Sequence, residues 1–395
     1  MKEQRRWLLL LNVIFNMVLG FILPVNTIFI NKTLNEPLTV AGFTLMVYSA
    51  MMMIGNTIGG IMFDRFSKRI TLISGYVIAV ICLSIMAFHH TWPSFAFILA
   101  VLGFGMGLSY TAINGYTAYV AEQARGDSRI IFNNMYLAAN MGIAVGSTAV
   151  GFIFTHSIRL TFLLPAIIFA ISVVIVLLRG NVLDSYQVKH EEKREKVDIV
   201  ESDPKKIIGN TRFMLNLVVI SAAVFLVWVG YSQWDSNMSV YMLDQGLTTK
   251  DYGLVFTVNA GSLLVIQPVV NRFISRIFKL LKHQLTLGIV IMALSFLLLP
   301  NAHTFPEFII SMLILTVGES MVFPTIPALL SKLSTSKNRG TMQSIYSIFG
   351  SLGRAVGPYV GSIIITSLSY TSLFVAITVM MLIIGISMVG IRELD

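Results

Sequence analysis

The stretch Leu160-Thr-Phe-Leu-Leu-Pro165-Ala-Ile-Ile-Phe-Ala170-Ile-Ser-Val-Val-Ile-Val176-Leu-Leu-Arg179 carries no charge before its last residue. A hydrocarbon layer about 30 Å thick takes roughly 20 apolar residues of helix, so this run reads as a membrane crossing. Working outward, similar runs bounded by charge, Pro or Gly give twelve spans, at about 7–30, 40–63, 70–88, 94–120, 130–155, 160–179, 213–242, 250–273, 284–300, 306–331, 341–367 and 370–391. The whole chain agrees: its 395 residues are 55% apolar and 12% charged, with mean hydropathy +0.79. That composition excludes a soluble enzyme, and the alternating ten-residue segments of an outer-membrane barrel are absent. The fold class expected is an all-α polytopic membrane protein. The first apolar run continues past the length of a signal-peptide core, so no cleavable leader is expected.

The net charge of +9 has a topological explanation that leaves no role for nucleic acid. With the N-terminus inside, all of the 28 Lys and Arg except Lys32, Arg159, Lys250 and Arg354 fall at cytoplasmic ends or loops. Cations concentrate on the cytoplasmic side of membrane proteins, so both termini are expected to be cytoplasmic. The long polar stretch 180–212 matches Lys189, Lys193, Arg194, Lys196, Lys205, Lys206 and Arg212 with as many acids, and reads as a solvated linker. It divides an N-terminal six-helix bundle, 1–179, from a C-terminal one, 213–395.

The two halves repeat each other. Gly142-Ile-Ala-Val-Gly146-Ser147-Thr-Ala-Val-Gly151 in the fifth span matches Gly353-Arg-Ala-Val-Gly357-Pro358-Tyr-Val-Gly361 in the eleventh, 211 residues on. Asp64-Arg65-Phe66 answers Asn271-Arg272-Phe273 at 207 residues. Parallel six-helix repeats place a binding cavity between the halves near the mid-membrane.

The loop Gly60-Ile-Met-Phe-Asp64-Arg65-Phe-Ser67-Lys68-Arg69-Ile-Thr-Leu72 resembles the signature between helices 2 and 3 of the major facilitator superfamily, with Met62 and Ser67 in place of its Leu and Gly. The glycine runs of the fifth and eleventh spans are similar to the helix-packing motif of the drug:proton antiporter branch, with Ser147 where the fifth span of that branch has proline. Val101 stands where the branch carries an arginine. Gln233-Trp234-Asp235, and Gly318-Glu319 with Pro324, resemble the acidic positions of LmrP-like and MdtH-like multidrug exporters. The resemblance implies twelve helices in two pseudo-symmetric bundles. It also implies a conformational latch of Gly60, Asp64, Arg65, Lys68 and Arg69, with Asp64 docking against the start of helix 11 and Glu122, Arg125 and Arg129 extending it.

No phosphate-binding Gly-x4-Gly-Lys-Ser/Thr loop occurs, so transport draws on an ion gradient or runs downhill. Gly103-Phe-Gly105-Met-Gly107 lies inside an apolar helix, where close helix packing is the better reading than a dinucleotide loop. Cys82 stands alone and the six histidines lack ligand spacing, so no metal and no cofactor beyond a proton gradient is expected. Of the 19 acids only Asp235 and Glu319 fall clearly inside spans. An ionised carboxylate at a helix centre costs about 2.5–3.5 kcal/mol or more, so a cavity-facing, paired or protonatable group is expected. Asp235 is expected about 10 Å below the outer surface and Glu319 near the mid-membrane. A buried carboxyl favours its neutral form, and competition there between a proton and a cationic solute is the physical core of antiport. Arg354, deep in the eleventh span, needs an anion: Glu319, Asp235 or the solute itself.

Amides and aromatic hydroxyls avoid lipid, so Asn12, Asn16, Tyr110, Asn114, Tyr136, Asn140, Tyr231, Trp234, Asn259 and Gln267 are expected to face a cavity or another helix. Methionine and aromatic walls suit amphiphilic ligands of varied shape. The expectation is a monomeric, multi-pass protein of the cell membrane, exporting amphiphilic or cationic small molecules in exchange for protons by alternating access. A dedicated transporter of one sugar, peptide or lipid is the alternative, and a non-transporting receptor or scaffold a more remote one.

Overall fold

Helix starts in this chain are set by short polar side chains that take up the orphan N–H groups of a first turn. Ser67 accepts from the Ile70 N–H at 3.3 Å, Ser157 from Leu160 at 3.2 Å and Ser369 from Ser372 at 3.1 Å. Thr248 and Asp251 cap reciprocally: Asp251 Oδ2 accepts from the Thr248 N–H at 2.9 Å, and Thr248 Oγ1 from the Asp251 N–H at 3.2 Å.

A computed structural model describes residues 2–123, 128–184, 211–278, 280–333 and 339–391. Among them are thirteen α-helices and no strand. They are α1 (Lys2–Ile28, continued by a π turn, Phe29–Thr33), α2 (Leu38–Arg65), α3 (Lys68–Phe88), α4 (Ser94–Gln123), α5 (Ser128–Ile153), α6 (Ile158–Asp184), α7 (Thr211–Asp235), α8 (Asn237–Asp244), α9 (Thr249–Ile277), α10 (Leu281–Leu298), α11 (Phe305–Leu333), α12 (Arg339–Ser367) and α13 (Tyr370–Val389). All but the short α8 are long and apolar enough to cross a membrane, which gives the twelve spans expected.

The seventh span departs from the reading. Expected as one run over 213–242, it is two helices joined at Ser236, whose φ of −136° and ψ of −87° leave the helical region. Polar side chains replace the broken ladder. Ser236 Oγ donates back to the Ser232 carbonyl at 2.8 Å, and the Asn237 amide donates to Gln233 Oε1 at 2.7 Å and to the Pro358 carbonyl at 3.1 Å. Asp235 is therefore the last residue of a helix and not a point within one. Helix α6 runs on to Asp184, past the end expected at Arg179. The rest of the linker, 185–210, lies outside the described residues, as do the side chains of Glu122, Arg125, Arg129 and residues 341–344, on which the wider latch was read.

The helices form two compact units, Met1–Asp198 with Thr248–Thr257, and Ile199–Leu247 with Val258–Asp395. In the first, α1 packs on α5, α2 on α4, and α3 on α4 and α6. In the second, α7 packs on α12, and α10 on α11 and α13, so three of the pairings recur in the order the repeat requires. The glycines of α4 have the packing role expected: a Cβ on Gly107 would strike the Met52 carbonyl of α2, and one on Gly105 would lie 3.0 Å from the Gly75 carbonyl of α3.

Carbonyls of α6 and α13 are met by cations from matching places. Arg69 Nη2, at the start of α3, donates to the Leu177 carbonyl. Lys282 Nζ, at the start of α10, donates to the Val389 and Ile391 carbonyls at 3.0 and 2.8 Å. Lys282 meets the negative end of a helix dipole as well as terminal carbonyls, whereas Leu177 lies two turns before the end of α6 at Asp184, so Arg69 adds a second donor to a carbonyl within the helix.

Candidate functional site

Four helices of the second unit carry the deep polar groups. On α11, Glu319 is 2% exposed. Its Oε2 accepts from the Asn259 amide of α9 at 2.9 Å, and the same amide donates to Thr316 Oγ1, one turn away on α11, at 2.9 Å. Thr316 passes its own proton to the Met312 carbonyl at 2.7 Å. One amide group thus ties α9 to α11 at the carboxyl, and Gln267 adds a second tie by donating to the Ser320 carbonyl at 3.2 Å. Among the described residues Glu319 is the one charged side chain in the buried set.

Arg354, left between two acids by its sequence context, meets Asp235. Its Nη2 donates to Asp235 Oδ2 at 2.9 Å, and its Cζ lies 5.0 Å over the Trp228 ring. Trp228 stacks on Phe323 of α11 at 4.7 Å, and Tyr231 meets both rings edge-on at 5.5 and 5.4 Å. Phe323 is one turn from Glu319 on the same helix, so the aromatic cluster stands between the ion pair and the buried acid. Trp228 and Phe323 were not singled out from sequence. Trp228 precedes Asp235 by seven residues, two turns, which puts both on one face of α7 and was the available signal.

Of the residues expected to face a cavity or a helix, five turn into packed helix contacts: Asn12, Asn16, Trp234, Asn259 and Gln267 are all buried. Hydrogen bonds across helix crossings hold Asn12, Asn259 and Gln267, Asn12 donating to the Met135 carbonyl of α5 at 2.7 Å, while Asn16 donates within α1 to the Asn12 carbonyl at 2.8 Å. Tyr231 is buried within the aromatic cluster. Tyr110, Asn114 and Tyr136 are exposed, and the half-buried Asn140 donates to its own helix at the Tyr136 carbonyl.

The motif glycines sit at the crossings the repeat implies. Gly142 and Gly146 back onto α1, and Gly353, Gly357 and Gly361 onto α7, with Pro358 buried beside them. The fit is closest at Gly146, where a Cβ would collide with the Met17 carbonyl. Gly151 accepts from Thr249 Oγ1 at 3.0 Å. Ser147 is buried, and its hydroxyl donates to the Gly20 carbonyl at 3.2 Å.

The latch residues divide. Asp64 and Arg65 are exposed in the last turn of α2, and Gly60 has open space with only Thr111 Cγ2 at 4.0 Å. Lys68 lies 4.0 Å over the Tyr119 ring, and Arg69 donates to the Leu177 carbonyl of α6.

Comparison with known proteins places this arrangement. The family model described as Major Facilitator Superfamily matches residues 8–282 and 237–393. The chain is 30% identical to the uncharacterized MFS-type transporter YttB of Bacillus subtilis, over 92% of this chain and 89% of that one. It is 22% identical to Multidrug resistance protein 1 of the same organism, over 94% and 91% of the two chains. A solved structure of the peptide transporter POT in complex with sulfate shares the fold at a TM-score of 0.79 with 13% identity, covering 98% of this chain and 94% of that one. With twelve spans, a recurring six-helix order and a match along nearly its whole length, the chain, a multi-pass secondary transporter of small molecules and not an enzyme, belongs to the Major Facilitator Superfamily.

Proposed function

We propose that the protein is a proton-coupled exporter of amphiphilic or cationic small molecules, of the drug:proton antiporter branch, working by alternating access. Glu319 carries the reading. It is a deeply buried carboxyl that accepts from the neutral Asn259 amide and lies one turn from an aromatic cluster. That makes it suited to bind a proton in one phase of a cycle and to release it in another. Asp235, in the ion pair with Arg354, is the second acid of the coupling set, and its place at a helix end suits selection of the cargo's charge. The name Multidrug resistance protein 1, borne by a relative spanning most of the chain, supports export of drug-like cargo. The motif resemblance supports Asp64 and Arg65 as gating residues, and the cation distribution supports cytoplasmic termini; in this reading the protein works as a monomer of the cell membrane.

The test is gradient-driven uptake of an amphiphilic aromatic dye, in cationic and in carboxylate-bearing forms, into inverted membrane vesicles. Glu319→Gln keeps an oxygen that accepts from Asn259, so the fold is expected to stand while proton-driven uptake is lost. Uptake by this variant at the unmodified rate would remove Glu319 from coupling.

A further inference from the structure

Arg354 is held from two sides, by Asp235 Oδ2 at 2.9 Å and by the Trp228 face at 5.0 Å. Its side chain is nevertheless 41% exposed, against 12% for Asp235. The exposed part of a cation well inside an apolar helix would be costly in hydrocarbon, so it faces water. Gly353 and Gly350 seat the Trp228 ring against bare backbone: a Cβ on Gly353 would lie 2.9 Å from Trp228 Cβ, and one on Gly350 3.0 Å from Nε1. The surface thus offers a guanidinium whose position is set before any solute arrives, which reduces the ordering cost of binding. Guanidinium presents a planar fork of donors that matches a carboxylate bidentately, and its flat face stacks on rings. The rings are at hand, since Trp228, Tyr231 and Phe323 lie within 5.5 Å of one another. One guanidinium beside one acid balances a single negative charge. A phosphate dianion would meet Asp235 as a like charge, whereas a carboxylate can replace Asp235 one for one.

We propose that Arg354 is a specificity-determining residue that takes the carboxylate of an aromatic solute in exchange for Asp235. This rests on the transport reading above, and narrows its amphiphilic cargo to one bearing a carboxylate. Solute and Asp235 compete for one cation, so neutralising Asp235 strengthens solute binding while removing the fork weakens it.

The experiment measures equilibrium binding to the full-length protein in phosphatidylcholine nanodiscs by saturation-transfer NMR. The probes are 1-naphthoate, neutral 1-naphthamide and cationic 1-naphthylmethylammonium. Naphthoate is expected to bind about tenfold more tightly than the amide, and Arg354→Lys to lose about that factor for naphthoate alone. Asp235→Asn is expected to tighten naphthoate severalfold and leave the amide unchanged. Equal affinity for naphthoate and amide, or naphthoate binding untouched by Arg354→Lys, overturns the proposal. So does preferential binding of the ammonium probe that Asp235→Asn abolishes, which would assign the surface to cations. Should Arg354→Lys fail to fold, the Asp235→Asn arm decides, and unchanged or weaker naphthoate binding there is fatal. No gradient is applied, so failure here leaves proton-driven export through Glu319 standing, and loss of that coupling leaves this binding result standing.

Discussion

The side-chain amide of Gln267 on α9 donates at 3.2 Å to the carbonyl of Ser320 on α11, the residue next to Glu319. In an unbroken helix that carbonyl would take the N–H four residues on, but position 324 is proline and has none. Gln267 supplies the missing donor. Ser147 does the same in the other half: Gly20 lies four residues before Pro24, and its carbonyl accepts the Ser147 hydroxyl at 3.2 Å. The serine that replaces proline in the fifth-span motif thus repairs a neighbouring helix.

A double-mutant cycle tests the first repair. Gln267→Leu should leave a buried carbonyl without its donor and cost about 1–3 kcal/mol. Pro324→Ala restores the N–H, so Gln267→Leu should cost clearly less in that background. Additive losses of thermal stability for the two changes would show that Gln267 and Pro324 act independently.

The second repair has a simpler readout. Ser147→Ala should lower stability by about 1 kcal/mol, and Ser147→Thr, which keeps the hydroxyl, should lower it less unless its methyl is crowded out. Urea or thermal unfolding in detergent measures both. An alanine variant as stable as the unmodified protein would mean that water or backbone movement satisfies Gly20.

These repairs also show where sequence reading stops. The spans were legible because hydrocarbon sets their length and composition, and the repeat because the Gly runs of α5 and α12 share one spacing. Proline positions were equally visible, yet which side chain serves each freed carbonyl depends on how two helices cross. The same limit applies to Arg354. Its need for an anion could be read from its depth, but Asp235 and Glu319 lie on different helices, and only the crossing of α7 with α12 decides between them. The break at Ser236 escaped because the run 213–242 stays apolar on average, and averaged hydropathy does not register a turn made of buried Ser, Gln and Asn.

The two cations that donate to helix carbonyls offer a prediction in both halves. Lys282→Met removes the donor to the Val389 and Ile391 carbonyls while keeping the stem, and should cost about 0.5–2 kcal/mol. Arg69→Met removes the second donor to the Leu177 carbonyl inside α6 and should cost less, because that carbonyl lies within the helix. Hydrogen exchange should rise at the last turn of α13 in the first variant and at the turn of α6 that follows Leu177 in the second. Protection unchanged at those turns would show that the carbonyls are satisfied from elsewhere.

The last prediction concerns the ion pair. Asp235 is nearly buried and Arg354 is not, so their attraction is only partly screened, and each has a different fate when its partner goes. Arg354→Gln leaves a buried carboxylate facing an amide and should cost about 1–3 kcal/mol, less than a fully buried pair because the guanidinium was half in water. Asp235→Asn leaves the cation with its exposure and its Trp228 contact, so it should cost less. Changing both removes charge from both places, and the double variant should be more stable than the sum of the single losses requires. The cycle is read by thermal unfolding in the same detergent. A coupling indistinguishable from zero would mean that the 2.9 Å contact adds nothing to stability and that the two residues are held for their solute alone.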